Sequence, residues 1–268
     1  MRKRSWPLII MAALGFLFLY LPIVVLIVFS FNESKLVTVW GGWSLKWYAS
    51  LFSNQEIMDA AWVSLKIAVI SASLASVLGT MTGFVLSRIP RFRGKTILSG
   101  WAMAPLVMPD VITGLSLLLL FVSMGSLFGW PAERGTTTVV IAHTTFCLAY
   151  VAVVVQSRLS TLDETLEEAA MDLGAKPSSL FFLITLPLIM PAIVSGWLLS
   201  FTLSLDDLVI ASFVSGPGNS TLPMVIFSKV RLGITPEVNA LATLMIVAVA
   251  LSVLIALYIM RRQKRVVG

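Results

Sequence analysis

The chain has 268 residues, of which 58% are hydrophobic and 12% charged, about half the charged share of an ordinary soluble domain. At a mean hydropathy of +0.96, a water-soluble fold would expose aggregating apolar patches, so a soluble enzyme is excluded and a bilayer protein indicated. The net charge is +6, but the basic residues form short clusters beside apolar runs instead of one polar stripe, which argues against nucleic acid as a partner.

A helix crossing the hydrocarbon core needs about 20 mostly apolar residues. Six stretches qualify: 8–30, 62–87, 98–124, 137–156, 188–214 and 239–260. The first follows Arg2, Lys3 and Arg4. It is too long for a signal-peptide core and ends in no small-residue cleavage site, so it is expected to be a retained span. Residues 31–61 then carry Trp40, Trp43, Trp47 and Tyr48. This pattern suits an aromatic belt at headgroup depth, or a docking surface for a partner outside the membrane.

In the third span Asp110 follows Pro109 and Pro105, so that helix is expected to kink or break beside a carboxylate. Interrupted spans are common substrate sites in transporters. In the fourth, His143 and Cys147 lie one turn apart. Two ligands are too few for a structural metal site, so both are expected in the core. As the single cysteine, Cys147 has no disulfide partner in the chain. The fifth span carries Trp197, Asp206 and Asp207 and no basic residue to neutralise the acids. Glu237 precedes the sixth, where it suits an interfacial helix start.

Positive charge sets the orientation. With the N-terminus in the cytoplasm, thirteen of the nineteen Lys and Arg fall on the inner side, including Arg88, Arg91, Arg93, Lys95, Arg158, Lys176 and the cluster at Arg261, Arg262, Lys264 and Arg265. Six spans then return the C-terminus to the same side.

The inner segment 160–187 differs from the other loops. Thr161 and Glu164 have capping-box spacing, and Asp163, Glu164, Glu167 and Glu168 suit the first turns of a helix, where the dipole favours negative charge. Leu162, Leu166, Ala169 and Leu173 share one face at helical spacing. Gly174 stands where a left-handed residue would end that helix, and Pro177 suits the first turn of a second one. The expected unit is a short acidic amphipathic helix, a sharp turn and a second helix. An acidic helix is poorly matched to an anionic lipid surface, so a protein partner is expected.

At these residues a family resemblance enters. Glu168, Ala169 and Ala170, then Gly174, then Ile184, Thr185, Leu186 and Pro187, match the EAA loop of ABC importer permeases in spacing. Further stretches look like the spermidine/putrescine permease group, and within it most like a putrescine importer's second permease subunit. They are Phe31 and Asn32 through Trp40, Ala104 through Asp110, Leu203 through Gly218, and Thr221 through Leu241. The resemblance implies an all-α, six-span, type I ABC importer permease in a bacterial inner membrane. It implies that Glu168, Ala169, Ala170, Gly174, Leu186 and Pro187 couple the chain to a cytoplasmic ATPase. It further implies two ATPase copies, a second permease subunit in a heterodimer, and a periplasmic polyamine-binding protein. The chain lacks a phosphate-binding loop of the Gly-x-x-x-x-Gly-Lys-Ser/Thr type, so ATP and Mg are expected on the ATPase, with no cofactor and no catalytic residue here.

Asp110, Asp206 and Asp207 suit a cargo with separated ammonium groups and an apolar linker; the rings of Tyr150, Trp197 and Phe146 could line its path, with cation–π contact to the charged groups, or serve only as packing. Asp206 or Asp207 could instead cap a helix that resumes beyond it or pair with a partner subunit. The expected organisation is a first helix and outer loop at 1–61, a permease core at 62–260 holding the coupling loop, and a basic tail at 261–268. An ion-coupled secondary transporter would explain the buried acids but not the hairpin. An ABC permease for another small solute would share the hairpin, and a scaffold without transport would need neither.

Overall fold

In the computed structural model the described residues are 6–36, 39–89, 91–163, 165–232 and 236–266. Among them the chain is helical, with a single isolated bridge between Asn32 and Trp43. The helices are α1 (Trp6–Phe29), α2 (Lys46–Ser53), α3 (Gln55–Arg88), α4 (Lys95–Val107), α5 (Asp110–Phe128), α6 (Thr136–Leu159), α7 (Thr165–Asp172), α8 (Pro177–Leu180), α9 (Leu186–Asp206), α10 (Val209–Val214), α11 (Leu222–Leu232) and α12 (Pro236–Val266). A π-turn at Phe181–Thr185 joins α8 to α9.

Six segments are long and apolar enough to cross a membrane: Leu8–Phe29, Gln55–Arg88, Asp110–Phe128, Thr136–Leu159, Pro177–Asp206 and Pro236–Ile255. The number agrees with the composition, but two bounds are corrected. The stretch 98–124 is split, α4 ending at Val107 and α5 starting at Asp110. Proline disfavours helical backbone in the residue before it, and Met108 is extended, with φ −79° and ψ 134°. The stretch 188–214 is displaced: its helix begins at Pro177, stops at Asp206, and resumes separately as α10. Apolar residues resume at Leu208 directly after Asp206 and Asp207, so the stretch as a whole stays apolar enough to hide the stop.

The chain divides into two compact units, Met1–Asp59 with Val225–Leu251, and Ala60–Met224 with Ser252–Gly268. In the first, Asn32 is 1% exposed and organises the loop after α1. Its Nδ2 donates to the Val39 carbonyl, and its Oδ1 accepts from the Ser34 and Gly41 amides. Trp47 Nε1 donates to the Asn32 carbonyl at 2.7 Å, and Tyr48 shares a hydrogen bond with Ser30. Trp40 and Trp43 meet edge to face at 5.0 Å. Part of the aromatic set therefore closes a folded loop, while Trp43 stays exposed. Glu237, in the first turn of α12, accepts a hydrogen bond from the Ser50 hydroxyl.

In the second unit α6 is the centre and the most buried of the spanning segments. Gly79 and Gly83, one turn apart on α3, let that helix lie directly on α6. A Cβ at Gly79 would stand 2.6 Å from Val151 Cβ, and one at Gly83 would stand 2.8 Å from the Ala152 carbonyl oxygen. Small residues at this spacing allow close backbone approach where lipid provides no hydrophobic drive between helices. His143 and Cys147 are both fully buried on α6.

Candidate functional site: a carboxylate cavity and a helical hairpin

The two helix breaks of the second unit meet at one cavity of about 330 Å³, lined by Pro105, Asp110, Phe146, Tyr150, Leu203, Asp206, Asp207, Leu208, Val209 and Ile210. Each break supplies a carboxylate for a local reason. Pro109 ends α4, and Asp110 opens α5, whose first amides bond back to the Pro109 carbonyl. At the second break Asp207 leaves the helix in extended backbone and caps α10. Its carboxylate accepts from the Ala211 amide at 2.7 Å and the Ile210 amide at 3.3 Å, replacing bonds that the interrupted backbone no longer makes.

Asp207 has a third partner. His143 Nε2 lies 3.1 Å from its Oδ2, and His143 Nδ1 lies 2.7 Å from the Ser204 hydroxyl. One neutral tautomer satisfies both contacts, with Nε2–H donating to the carboxylate and Nδ1 accepting from the hydroxyl. The His143 side chain is 0% exposed and that of Asp207 is 9% exposed, so this contact sits away from solvent and ties α6 to the junction of α9 and α10. Sequence reasoning sought a partner for the acids within their own span. The partner is the buried histidine of α6, on the preceding span, and the signal was an ionisable residue inside an apolar helix.

Asp110 and Asp206 differ from Asp207. Both are exposed, and among the described residues neither carboxylate has a side-chain partner. The structure thus brings Asp110, Asp206, Asp207 and Tyr150 together with Phe146, whose ring stands edge to face with Tyr150 at 6.5 Å. Trp197 does not join them. It stacks on Phe201 at 5.3 Å and donates from Nε1 to the Ser73 hydroxyl. Carboxylates beside aromatic rings can hold ammonium groups by charge and by cation–π attraction.

The hairpin lies on a separate part of the unit. Asp163 accepts from the Thr165 amide at 3.0 Å, and this backbone contact is the main cause that holds its carboxyl below the usual range. The cap is therefore Asp163, two residues later than the Thr161 expected from spacing. Thr161 instead donates back to the Arg158 carbonyl at the end of α6. Glu164 lies outside the described residues. At the far end Gly174 has φ +84°. Its amide bonds to the Met171 carbonyl and that of Ala175 to the Ala170 carbonyl, the pair of bonds that defines a Schellman end. Pro177 then starts α8.

Glu168 and Ala169 are exposed and Ala170 is half-buried. Leu166 is exposed as well, and Leu173 is 90% exposed. Of the face expected to be apolar, only Leu162 packs against the core. At the start of α9, Leu186 packs on the core and Pro187 is exposed. Glu167 turns inward, and its contacts with Arg88 and Thr185 were not foreseen from the sequence.

A six-span helical chain with a broken-helix cavity and a protruding hairpin has the fold of ABC importer permeases. A solved bacterial ABC transporter that imports the acidic polysaccharide alginate matches with a TM-score of 0.75, over 97% of this chain and 96% of that one at 17% identity. The MetNI methionine ABC transporter matches with a TM-score of 0.65, over 77% of this chain and 95% of that one, also at 17% identity. The family of binding-protein-dependent transport system inner membrane components matches residues 75–267, and the chain belongs to it. It is 59% identical to the putrescine transport system permease protein PotI of Escherichia coli (strain K12), over 98% of this chain and 93% of that one. It is 44% identical to the spermidine/putrescine transport system permease protein PotC of the same strain, over 92% and 90%.

Proposed function

We propose that this chain is the transmembrane permease subunit of an ATP-driven importer of polyamines, putrescine and spermidine, and supplies half of the translocation path. The observation that carries this reading is the cavity at two helix breaks, lined by three carboxylates and two aromatic rings, in a chain 59% identical to a relative named for putrescine. Asp110 and Asp206 take the ammonium ends of the cargo, and Tyr150 and Phe146 cover its methylenes. Asp207 keeps the break in shape. The cavity opens at the surface of this chain, where a second permease subunit would complete the path and withdraw it from lipid.

The hairpin is the coupling element. Glu168, Ala169, Ala170 and the exposed Leu166 and Leu173 form a small acidic and apolar surface, suited to a groove on a cytoplasmic ATPase. Gly174 sets its turn, and Leu186 and Pro187 deliver its motion to α9. Two ATPase copies holding ATP and Mg, one per permease subunit, would close together and rock the spans, while a periplasmic polyamine-binding protein delivers cargo to the opposite face. Both termini lie in the cytoplasm of a bacterial inner membrane, as the distribution of basic residues favours.

The test is reconstitution of the complete transporter in sealed vesicles with its ATPase and binding protein. Labelled putrescine and spermidine are expected to accumulate only with ATP and to stimulate its hydrolysis, while an anionic competitor does neither. Uptake driven by an ion gradient without nucleotide would overturn the reading in favour of a secondary transporter.

A further inference from the structure

Consecutive residues on a helix point about 100° apart, and Glu167 and Glu168 use that difference. Glu168 faces out. Glu167 faces in, and both its carboxylate oxygens are engaged. Oε2 lies 3.0 Å from Arg88 Nε, with side-chain exposures of 14% for the glutamate and 9% for the arginine. Oε1 accepts from the Thr185 hydroxyl at 3.0 Å, and Thr185 is 1% exposed. Arg88 is the last residue of α3 and Thr185 the last of the π-turn leading into α9. Each charge also occupies the helix end that favours it, the acid in the first turn of α7 and the base in the last turn of α3. A pair shielded to this degree is weakened little by salt.

A push on the outer face of α7 has two routes into the spans. The covalent route runs through the turns at either end of the hairpin, which are short and lie at the surface. The other runs straight through Glu167 to α3, which is distant in sequence. Phe181 of the π-turn backs it by meeting Phe84 of α3 edge to face at 5.1 Å.

Resting on the coupling role proposed for the hairpin, we infer that Glu167 is the positioning residue that makes α3 and α9 move with the hairpin as one body, through Arg88 and Thr185. Glu168 receives the stroke and Glu167 transmits it.

The experiment uses the complete transporter in sealed vesicles. It measures labelled putrescine uptake and ATP hydrolysis in the same sample, together with the amount of ATPase that co-purifies. Glu167→Gln and Arg88→Gln are expected to retain the ATPase and to continue hydrolysis, while uptake per ATP falls roughly ten-fold, within the range by which residues along a coupling network change coupling. Thr185→Val gives a smaller drop of the same kind. The reversed pair Arg88→Glu with Glu167→Arg recovers uptake per ATP toward wild type. A wild-type ratio in both single variants overturns the inference. If a single variant fails to assemble, the reversed pair decides: recovery of assembled, coupled transporter supports the ion pair, and no recovery overturns it. If the unaltered chain binds no ATPase, the coupling role of the hairpin has failed instead, which is a different result.

Discussion

The hairpin and the carboxylate cavity are both places where the chain departs from a simple apolar helix, yet they are held by opposite means. The hairpin is shaped by neighbours in sequence: Asp163 caps Thr165, Gly174 ends the helix, and Pro177 starts the next. It leaves Leu173 almost wholly exposed. The cavity is shaped by residues far apart, with His143 reaching Asp207 across 64 positions and the Pro109 break brought beside the Asp207 break. A surface of the kind proposed to seat in another protein can be built locally and left uncovered. A hollow lined with charge among apolar spans needs several helices to hold its shape.

The largest expected effect tests the hairpin as a contact surface. Glu168→Lys puts a positive charge on its exposed acidic face, and ATP-driven uptake should fall by at least about ten-fold, the scale on which like-charge contact costs several kcal/mol at an interface. The protein should stay folded in the membrane, and co-purification with the ATPase checks the outcome. Next comes the cavity as a cargo site. Asp110→Asn with Asp206→Asn should cut labelled putrescine uptake about ten-fold by removing charge-assisted contacts, with assembly unchanged. Unchanged uptake would leave those two acids without a role in transport.

Asp207 sharpens the contrast because it is expected to act on stability. His143→Ala removes one of three partners from a largely buried carboxylate, a loss of about 2 kcal/mol for a hydrogen bond to a charged group. The thermal midpoint of the purified complex should drop, and Asp207→Asn should behave alike. Gly174→Ala places a Cβ at φ +84°, which costs about 1–2 kcal/mol locally. It should weaken ATPase binding without altering the cavity, as titration of the ATPase against the permease would show.

The smallest effect is at Asp163. The Thr165 amide holds its carboxyl below the usual range, so the cap is intact above the ordinary carboxylate range and is lost as pH falls through the lowered value. Hydrogen exchange at the Thr165 amide should quicken below that point. In Asp163→Ala it should already be fast at neutral pH.

Much of this architecture could be read before folding. Six apolar runs, a turn at Gly174 and a break near Pro109 all follow from hydropathy and from glycine and proline chemistry. Three features could not be read. Asp206 and Asp207 are adjacent and chemically alike, so spacing could not say that one opens to a cavity while the other caps α10. Trp197 and Tyr150 both looked able to line a path, and only Tyr150 reaches the cavity. Glu167 looked like one more acid at a helix start, and its inward bridge depends on where α3 ends.

By itself the sequence determined which segments are long and apolar enough to enter the bilayer, where the hairpin turns at Gly174 and that Pro177 starts its second helix. Each of these is decided within one or two helical turns, by transfer free energy or by backbone sterics. The tertiary structure alone decided which acid is satisfied and which is left open, what His143 is for, and how the hairpin grips α3. Those outcomes depend on which atoms of distant helices come within hydrogen-bond reach, and a buried charge takes whichever partner the packing brings to it.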